Sequence, residues 1–183
     1  MSNQAEYKKK LASAEQAAGL VKSGDWVDYG HFALAPECLD RALAKRVDEL
    51  YDVKIRAVTY PGVCAAAEAD PGRKHVTYNN WHFSAGDRSL HDKGLCNYIP
   101  LLYHVAPSHY DNRLIDTDVF ICKVAPMDDN GFFNFGLSNS FARAAARRAK
   151  TVIVEVNDKV PYVYGGYDES IHISDVDCIV ETD

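Results

Sequence analysis

The chain has 183 residues, of which 47% are hydrophobic and 25% are charged, and its formal net charge is −6. This length suits one domain with a substantial core, and the composition is that of a globular protein without a run of apolar residues long enough to span a membrane. The negative charge argues against nucleic acid as a partner, because duplex binding depends on a cationic surface.

The amino-terminal residues and the cysteines indicate a cytoplasmic protein. The first ten residues are polar and rich in lysine, so they do not form a secretory signal. Five cysteines are dispersed along the chain without any C-x-x-C pair, which predicts reduced, packed thiols rather than disulfides or zinc. The histidines lack the close spacing of a metal-binding helix, so we expect no metal.

The first half of the chain alternates predicted helices and strands. A capping box over residues 13–16 predicts a helix start at Ser13. Trp26–Tyr29 is a strand candidate, and the helix after it is expected to continue to Tyr51. Apolar and charged residues alternate over residues 53–58, which predicts a strand with one solvent-exposed face, as at the edge of a sheet.

Later segments predict more strands. Residues 97–105 are bulky and apolar, but Pro100 restricts them to a strand start, an edge or a bulge because proline lacks an amide donor. Residues 117–124 and 151–156 are strand candidates on either side of an alanine-rich helix over residues 141–150. A strand, a helix and a second strand in this order predict that the two strands pair in parallel. The chain therefore predicts an α/β fold with an open, mostly parallel sheet flanked by helices.

The loop over residues 125–140 is the main candidate for a ligand site. It joins the carboxyl end of a strand to the start of a helix, where open α/β sheets present backbone amides to ligands. The amides around Ser138, Asn139 and Ser140 suit an anion, but the same residues also suit capping of the helix without a ligand. Neither a P-loop nor a G-x-G-x-x-G sequence is present.

Three side chains outside this loop are further candidates. His31 follows a strand end and suits either a pocket or a hydrogen bond to local backbone. Glu155 lies in an apolar strand, where a carboxylate is either catalytic or bonded to backbone amides, and we favour the second alternative. Arg88 suits either bidentate binding of a substrate carboxylate or solvation of a loop.

Five segments form a pattern through their order and spacing. They are residues 23–25 before a strand, His31 and Pro36 after it, residues 98–104, residues 126–136 with the central Asn130-Gly131-Phe132, and residues 155–161. Together they resemble the amino-terminal half of the acetyl-CoA hydrolase/transferase family, and within it the 4-hydroxybutyrate and butyryl-CoA:acetate CoA-transferases. The resemblance extends over nearly the whole chain.

The resemblance implies a single domain of the CoA-transferase type over residues 1–183, followed by a second, similar domain. It implies ping-pong transfer of CoA, in which a glutamate attacks an acyl-CoA and a glutamyl-CoA thioester then passes CoA to a carboxylic acid. In the family, that glutamate lies in the carboxyl-terminal half, which is absent from this chain. No catalytic residue is therefore expected here, Glu155 is not the nucleophile, and Asp183 corresponds to the hinge between domains.

The resemblance also implies ligands and partners. Coenzyme A is the expected co-substrate, bound as acyl-CoA, and the second substrate is a short-chain acid such as acetate, butyrate or 4-hydroxybutyrate. The carboxyl-terminal domain and a second copy in a homodimer are the expected protein partners. His31 matches a histidine at the domain interface, and the loop over residues 130–139 faces the partner domain. With the candidates above, the predicted substrate pocket comprises His31, Arg88, Asn134, Gly136, Ser138 and Asn139.

Two alternatives stay open. An acyl-CoA hydrolase has the same fold, and water replaces the second acid. A non-catalytic binding or regulatory module is the alternative of another class. A catalytic half without its partner should expose an apolar patch beside His31 and Gly136, whereas a free-standing module should have a closed, polar surface there.

Overall fold

The computed structural model describes residues 2–183, in which seven α-helices and nine β-strands occur. The strands are β1 (Trp26–Tyr29), β2 (Val53–Ala57), β3 (Val76–Asn80), β4 (Cys96–Tyr98), β5 (Val119–Val124), β6 (Phe132–Asn134), β7 (Thr151–Asn157), β8 (Ser170–His172) and β9 (Cys178–Thr182). The helices are α1 (Asn3–Lys10), α2 (Ala14–Ala18), α3 (Glu37–Ala44), α4 (Ala65–Glu68), α5 (Ala85–Asp92), α6 (Ala106–Asp111) and α7 (Ala142–Arg148).

Seven strands form one parallel sheet in the order β4-β3-β2-β1-β5-β7-β9. This arrangement confirms the predicted α/β fold and the parallel pairing of β5 with β7. From β1 the chain adds β2, β3 and β4 on one side, and it then adds β5, β7 and β9 on the other. Winding therefore reverses between β1 and β5. In open α/β sheets, ligands bind at the carboxyl ends of the strands beside such a switch.

Two hydrophobic clusters cover the two faces of the sheet. Val119 and Ile121 of β5 belong to the cluster that includes Leu39 and Leu43 of α3. Phe120, between them, belongs to the cluster that includes the alanines of α7. A strand buried on both faces needs apolar residues in succession, which is why β5 and β7 read as continuous hydrophobic segments. Ser13 caps α2 through the predicted capping box.

The predicted solvent-exposed face of residues 53–58 is wrong. Strand β2 lies between β1 and β3, and Arg56 is only 6% exposed. Its guanidinium pairs with Asp28 of β1, with Nε 2.5 Å and Nη2 2.9 Å from the two carboxylate oxygens. The hydroxyls of Thr117 and Tyr110 donate to the same carboxylate. Arg56, which the alternating pattern placed on a solvent-exposed face, therefore belongs to a buried ion pair.

Other segments also differ from the predictions. Strand β4 ends at Tyr98, two residues before Pro100, and lies at the sheet edge, where a missing amide donor is tolerated. The helix expected to continue to Tyr51 ends at Ala44. The loop over residues 125–140 contains β6, which pairs antiparallel with β8 in a second, small sheet that was not predicted.

Candidate functional site

The candidate site lies at the carboxyl edge of the sheet, beside the switch between β1 and β5. Gly30 and His31 follow β1, and the loop over residues 125–140 follows β5. The amide of Gly30 donates to the carbonyl of Ile121 at 2.7 Å. A Cβ atom on Gly30 would lie 2.3 Å from the carbonyl oxygen of Leu34, so the chain can turn here only with glycine.

His31 is buried in this edge, with 1% of its surface exposed. Its ring packs against Phe141, with 4.0 Å between ring centroids, and its Nδ1 lies 3.1 Å from Oγ of Ser140. The histidine thus contacts a side chain of the loop rather than local backbone. Burial lowers the pKa of His31 to about 4 against the opposing charge of Asp28, so the ring is neutral at pH 7.

Asn134 and Ser138 of the predicted pocket hold the loop in place. Oδ1 of Asn134 accepts from the amides of Gly136 at 2.8 Å and Val163 at 3.0 Å, and its Nδ2 donates to the carbonyl of Val163 at 3.0 Å. Oγ of Ser138 accepts from the amide of Ala33, which follows β1. Both side chains therefore join the loop to other segments of the carboxyl edge.

The remaining predicted residues differ in their surroundings. Gly136 has φ of 58°, and a Cβ atom there would lie 2.7 Å from Cγ1 of Val160. Nδ2 of Asn139 donates to the carbonyl of Tyr167, whereas its buried Oδ1 has no partner within residues 2–183. Arg88 lies on α5, exposed to solvent and away from this loop, and none of the six predicted residues lines the two clefts described below. The structure thus brings five of the six residues to one region and leaves Arg88 outside it.

Glu155 of β7 is bound to the start of α3. Its Oε2 accepts from the amides of Cys38 and Leu39, each at 3.1 Å, and the residue is 1% exposed. Burial raises the pKa of Glu155, while the amide of Leu39 and the charge of Lys123 oppose this shift. The geometry matches the structural alternative, because the carboxylate supplies acceptors to unpaired amides at a helix start.

Replacing Glu155 with glutamine should reduce the free energy of unfolding by about 1 kcal/mol, because the charge that faces the amides of α3 is lost. Urea unfolding measures this loss. A Glu15→Gln variant is the control, because the pair of Glu15 with Lys45 is exposed and 3.4 Å long and should contribute little to stability. An unfolding free energy equal to that of the unmodified protein would contradict a structural role.

Two clefts open beside the residues that follow His31. The first, which we call the aromatic cleft, has a volume of about 230 Å³ and is lined by Phe32, Val58, Trp81, His82, Tyr98, Leu101, Tyr103 and Phe141. The second, which we call the lysine cleft, has a volume of about 370 Å³, and Lys123, Lys159 and Leu137 are among its lining residues. An apolar cleft with a few polar groups suits a small ligand.

The sequence analysis missed the aromatic side chains around His31. Phe141 contacts the rings of Trp81 and Tyr103, with centroids 5.5 Å apart in both pairs. These residues come from three separate segments, and the sequence analysis assigned the segment with Tyr103 to a strand. The one local signal was the concentration of aromatic residues in them.

Metal and membrane features are absent from the described part of the chain. Within residues 2–183, no three His, Cys, Asp or Glu side chains are placed to hold a metal ion. No helix in that range combines the length and the apolar character needed to cross a membrane. The five cysteines form no disulfide within residues 2–183, and four of them are buried.

The carboxyl edge exposes large apolar side chains. Leu137 follows Gly136 and is 69% exposed, and Tyr103, which contacts the site through Ser140, is 52% exposed. Further large exposed side chains in this part of the chain are Tyr98, Leu102, Tyr162, Tyr164 and Tyr167. Exposed apolar side chains thus occur at the edge where the sequence analysis expected an apolar patch for a catalytic half without its partner.

Comparisons with curated proteins give a consistent result. Butyryl-CoA:acetate CoA-transferase of Anaerostipes caccae is 43% identical over 181 residues, which cover 99% of this chain and 41% of that protein. A probable butyrate:acetyl-CoA coenzyme A-transferase of Syntrophomonas wolfei is 44% identical over 177 residues, which cover 97% of this chain and 39% of that protein. The chain thus spans about two fifths of the length of the curated relatives it matches.

Solved structures agree with the fold predicted from the sequence. RipA from Yersinia pestis has a TM-score of 0.87 and 31% identity, covering 100% of this chain and 44% of that one. A 4-hydroxybutyrate CoA-transferase from Porphyromonas gingivalis has a TM-score of 0.71 and 25% identity, covering 98% of this chain and 41% of that one. The sequence model of the acetyl-CoA hydrolase/transferase N-terminal domain matches residues 1–183. The chain therefore belongs to the acetyl-CoA hydrolase/transferase family and corresponds to its N-terminal domain.

Proposed function

We propose that this chain is the amino-terminal domain of a CoA-transferase that moves CoA between an acyl-CoA and a short-chain carboxylic acid, of the acetate, butyrate or 4-hydroxybutyrate class. The observation that carries the proposal is the similarity to two CoA-transferases over almost the whole chain. The aromatic cleft supports it, because a cleft of about 230 Å³ beside His31 has room for a short acyl chain.

The proposed mechanism is ping-pong. A glutamate carboxylate attacks the thioester carbonyl, the C–S bond breaks, and an anhydride between the acyl group and the glutamate forms. The released CoA thiolate then attacks the glutamyl carbonyl, which frees the first carboxylic acid as its carboxylate and leaves a glutamyl-CoA thioester. An incoming carboxylate reverses these steps and leaves with CoA.

The nucleophilic glutamate is proposed to come from a carboxyl-terminal domain. Glu155 supports this division, because its carboxylate is already bound to two amides of α3 and lies 1% exposed. The apolar carboxyl edge with Leu137 and Tyr103 is proposed to pack against that domain. Two such domains would then enclose the acyl-CoA between them, with His31 on the acyl side.

The isolated domain over residues 1–183 should not exchange CoA between an acyl-CoA and acetate, whereas the full-length protein should. The physical reason is that the domain lacks the carboxylate that forms the covalent intermediate. Mass spectrometry of the acyl-CoA pool after incubation with isotopically labelled acetate measures the exchange, and circular dichroism verifies that the isolated domain is folded. Robust turnover by the isolated domain would contradict the proposal.

The hydrolase alternative is separated by the fate of the thioester. In the full-length protein, a transferase conserves the total amount of thioester and depends on the second acid, whereas a hydrolase releases free CoA thiol without it. A thiol assay with and without acetate therefore decides between the two activities.

A further inference from the structure

Three side chains form a hydrogen-bonded chain that leads from solvent to His31. Tyr103 donates its hydroxyl hydrogen to Oγ of Ser140 at 2.5 Å, and this Oγ lies 3.1 Å from Nδ1 of His31. Tyr103 is half exposed, Ser140 is partly buried and His31 is buried. The polar contact therefore runs from the aromatic cleft, which Tyr103 lines, into the site.

The hydrogen-bonded chain has a direction. A serine hydroxyl carries one hydrogen and two lone pairs. With Tyr103 as the donor to Oγ of Ser140, the hydrogen of Ser140 has one acceptor among its contacts within residues 2–183, which is Nδ1 of His31. Nδ1 then acts as the acceptor. In a neutral imidazole with a bare Nδ1, the proton is on Nε2.

The surroundings of His31 fit this assignment. Burial keeps the ring neutral at pH 7, and the contact with Phe141 restricts its orientation. Nε2 makes no hydrogen bond to any residue from 2 to 183. The fully enclosed side-chain N and O atoms without a partner in that range are Oδ1 of Asn139 and Nε of Arg148, so Nε2 is not fully enclosed. Nε2 is thus available for a hydrogen bond to a ligand.

The backbone on both sides of this contact is strained. Ser140 has φ of 53° and Phe32, directly after His31, has φ of 51°. Both values lie in the left-handed region, which is unfavourable for residues with a Cβ atom and for bulky residues in particular. Glycine would adopt the conformation of Ser140 more readily, but it would not supply the hydroxyl. Strain of this kind is concentrated at functional sites.

We propose that Tyr103 and Ser140 are positioning residues that hold His31 in the tautomer protonated at Nε2, so that His31 offers an N–H donor to an oxygen atom of the ligand. His31 in this state does not act as a base through Nε2. The tautomer rests on these hydrogen bonds and on the burial of the ring. That the acceptor is a thioester carbonyl or a carboxylate rests on the function proposed above.

Nuclear magnetic resonance of the full-length protein labelled with 15N-histidine tests the tautomer. At pH 7, the His31 signals, assigned by their loss in His31→Gln, should show a protonated Nε2 and a bare Nδ1. In Ser140→Gly, which removes the hydroxyl and relieves the backbone, the ratio of the two tautomers should fall by about fivefold, the effect of one net hydrogen bond. Tyr103→Phe should cause a smaller change in the same direction, and Tyr51→Phe, at an exposed tyrosine elsewhere, should cause none.

A proton on Nδ1 in the unmodified protein, or an unchanged tautomer ratio in Ser140→Gly, would overturn the inference. The CoA transfer assay separates its failure from failure of the proposed function. If the tautomer shifts as expected and kcat falls in Ser140→Gly, the donor role is supported. If transfer by His31→Phe, which has no N–H donor at this position, equals that of the unmodified protein, the donor role is wrong. If the unmodified protein transfers no CoA, the proposed function fails, whereas the spectra still decide the tautomer.

Discussion

Replacing Asp28 with alanine should lower the free energy of unfolding by about 3–5 kcal/mol, because it leaves a buried guanidinium without its counter-charge. The side chain of Arg56 is only 7% exposed, and both hydrogen bonds that Arg56 donates to a carboxylate go to Asp28. The hydroxyls of Tyr110 and Thr117 lose an acceptor at the same time. Urea unfolding of the variant and of the unmodified protein measures the difference.

A double substitution distinguishes an uncompensated charge from a general loss of packing. Asp28→Leu combined with Arg56→Met should be less destabilising than Asp28→Ala alone, because apolar residues of similar volume can replace a buried ion pair. Glu68→Gln is the control, because its pair with Lys93 is half exposed and 3.6 Å long and should have little effect on stability. A loss below about 1 kcal/mol in Asp28→Ala would show that the buried charge is compensated elsewhere.

Acidification should destabilise the protein through His31 by about 3 kcal/mol between pH 6.5 and pH 4. Burial lowers the pKa of this histidine to about 4 in the folded state, from the ordinary value of 6.5 that applies to the unfolded chain. Between these values, the unfolded chain binds a proton that the folded ring does not. The contribution of His31 to stability is therefore complete above pH 6.5 and is lost as the pH falls towards 4.

The pH dependence of His31→Gln isolates this contribution. Asp40 and Glu155 have a raised pKa because of burial, so they give slopes of the opposite sign, but they do so equally in both proteins. The unfolding free energy of the unmodified protein minus that of the variant should be constant above pH 7 and should decrease towards pH 4. Parallel stability curves over the whole range would show that His31 titrates normally in the folded state.

Local signals in the sequence were sufficient for most of the fold. The capping box at Ser13 and the continuous apolar segments of β5 and β7 depend on residues within one or two turns of each other, and all three were predicted correctly. Strand β6 was missed because it has three residues and is stabilised by its pairing with β8. A short strand has too few residues to show a period of its own.

The sequence by itself determined the α/β class, the family and the position of His31 after a strand end. Only the tertiary structure decided that Arg56 is paired rather than solvated, that Glu155 binds the amides of α3, and that Tyr103 and Ser140 meet at His31. Hydrophobic period and capping are properties of neighbours along the chain, and the sequence displays them directly. Burial, pKa and the direction of a hydrogen bond depend on groups that folding brings together, such as Asp28 with Arg56, 28 residues apart, and His31 with Ser140, 109 residues apart.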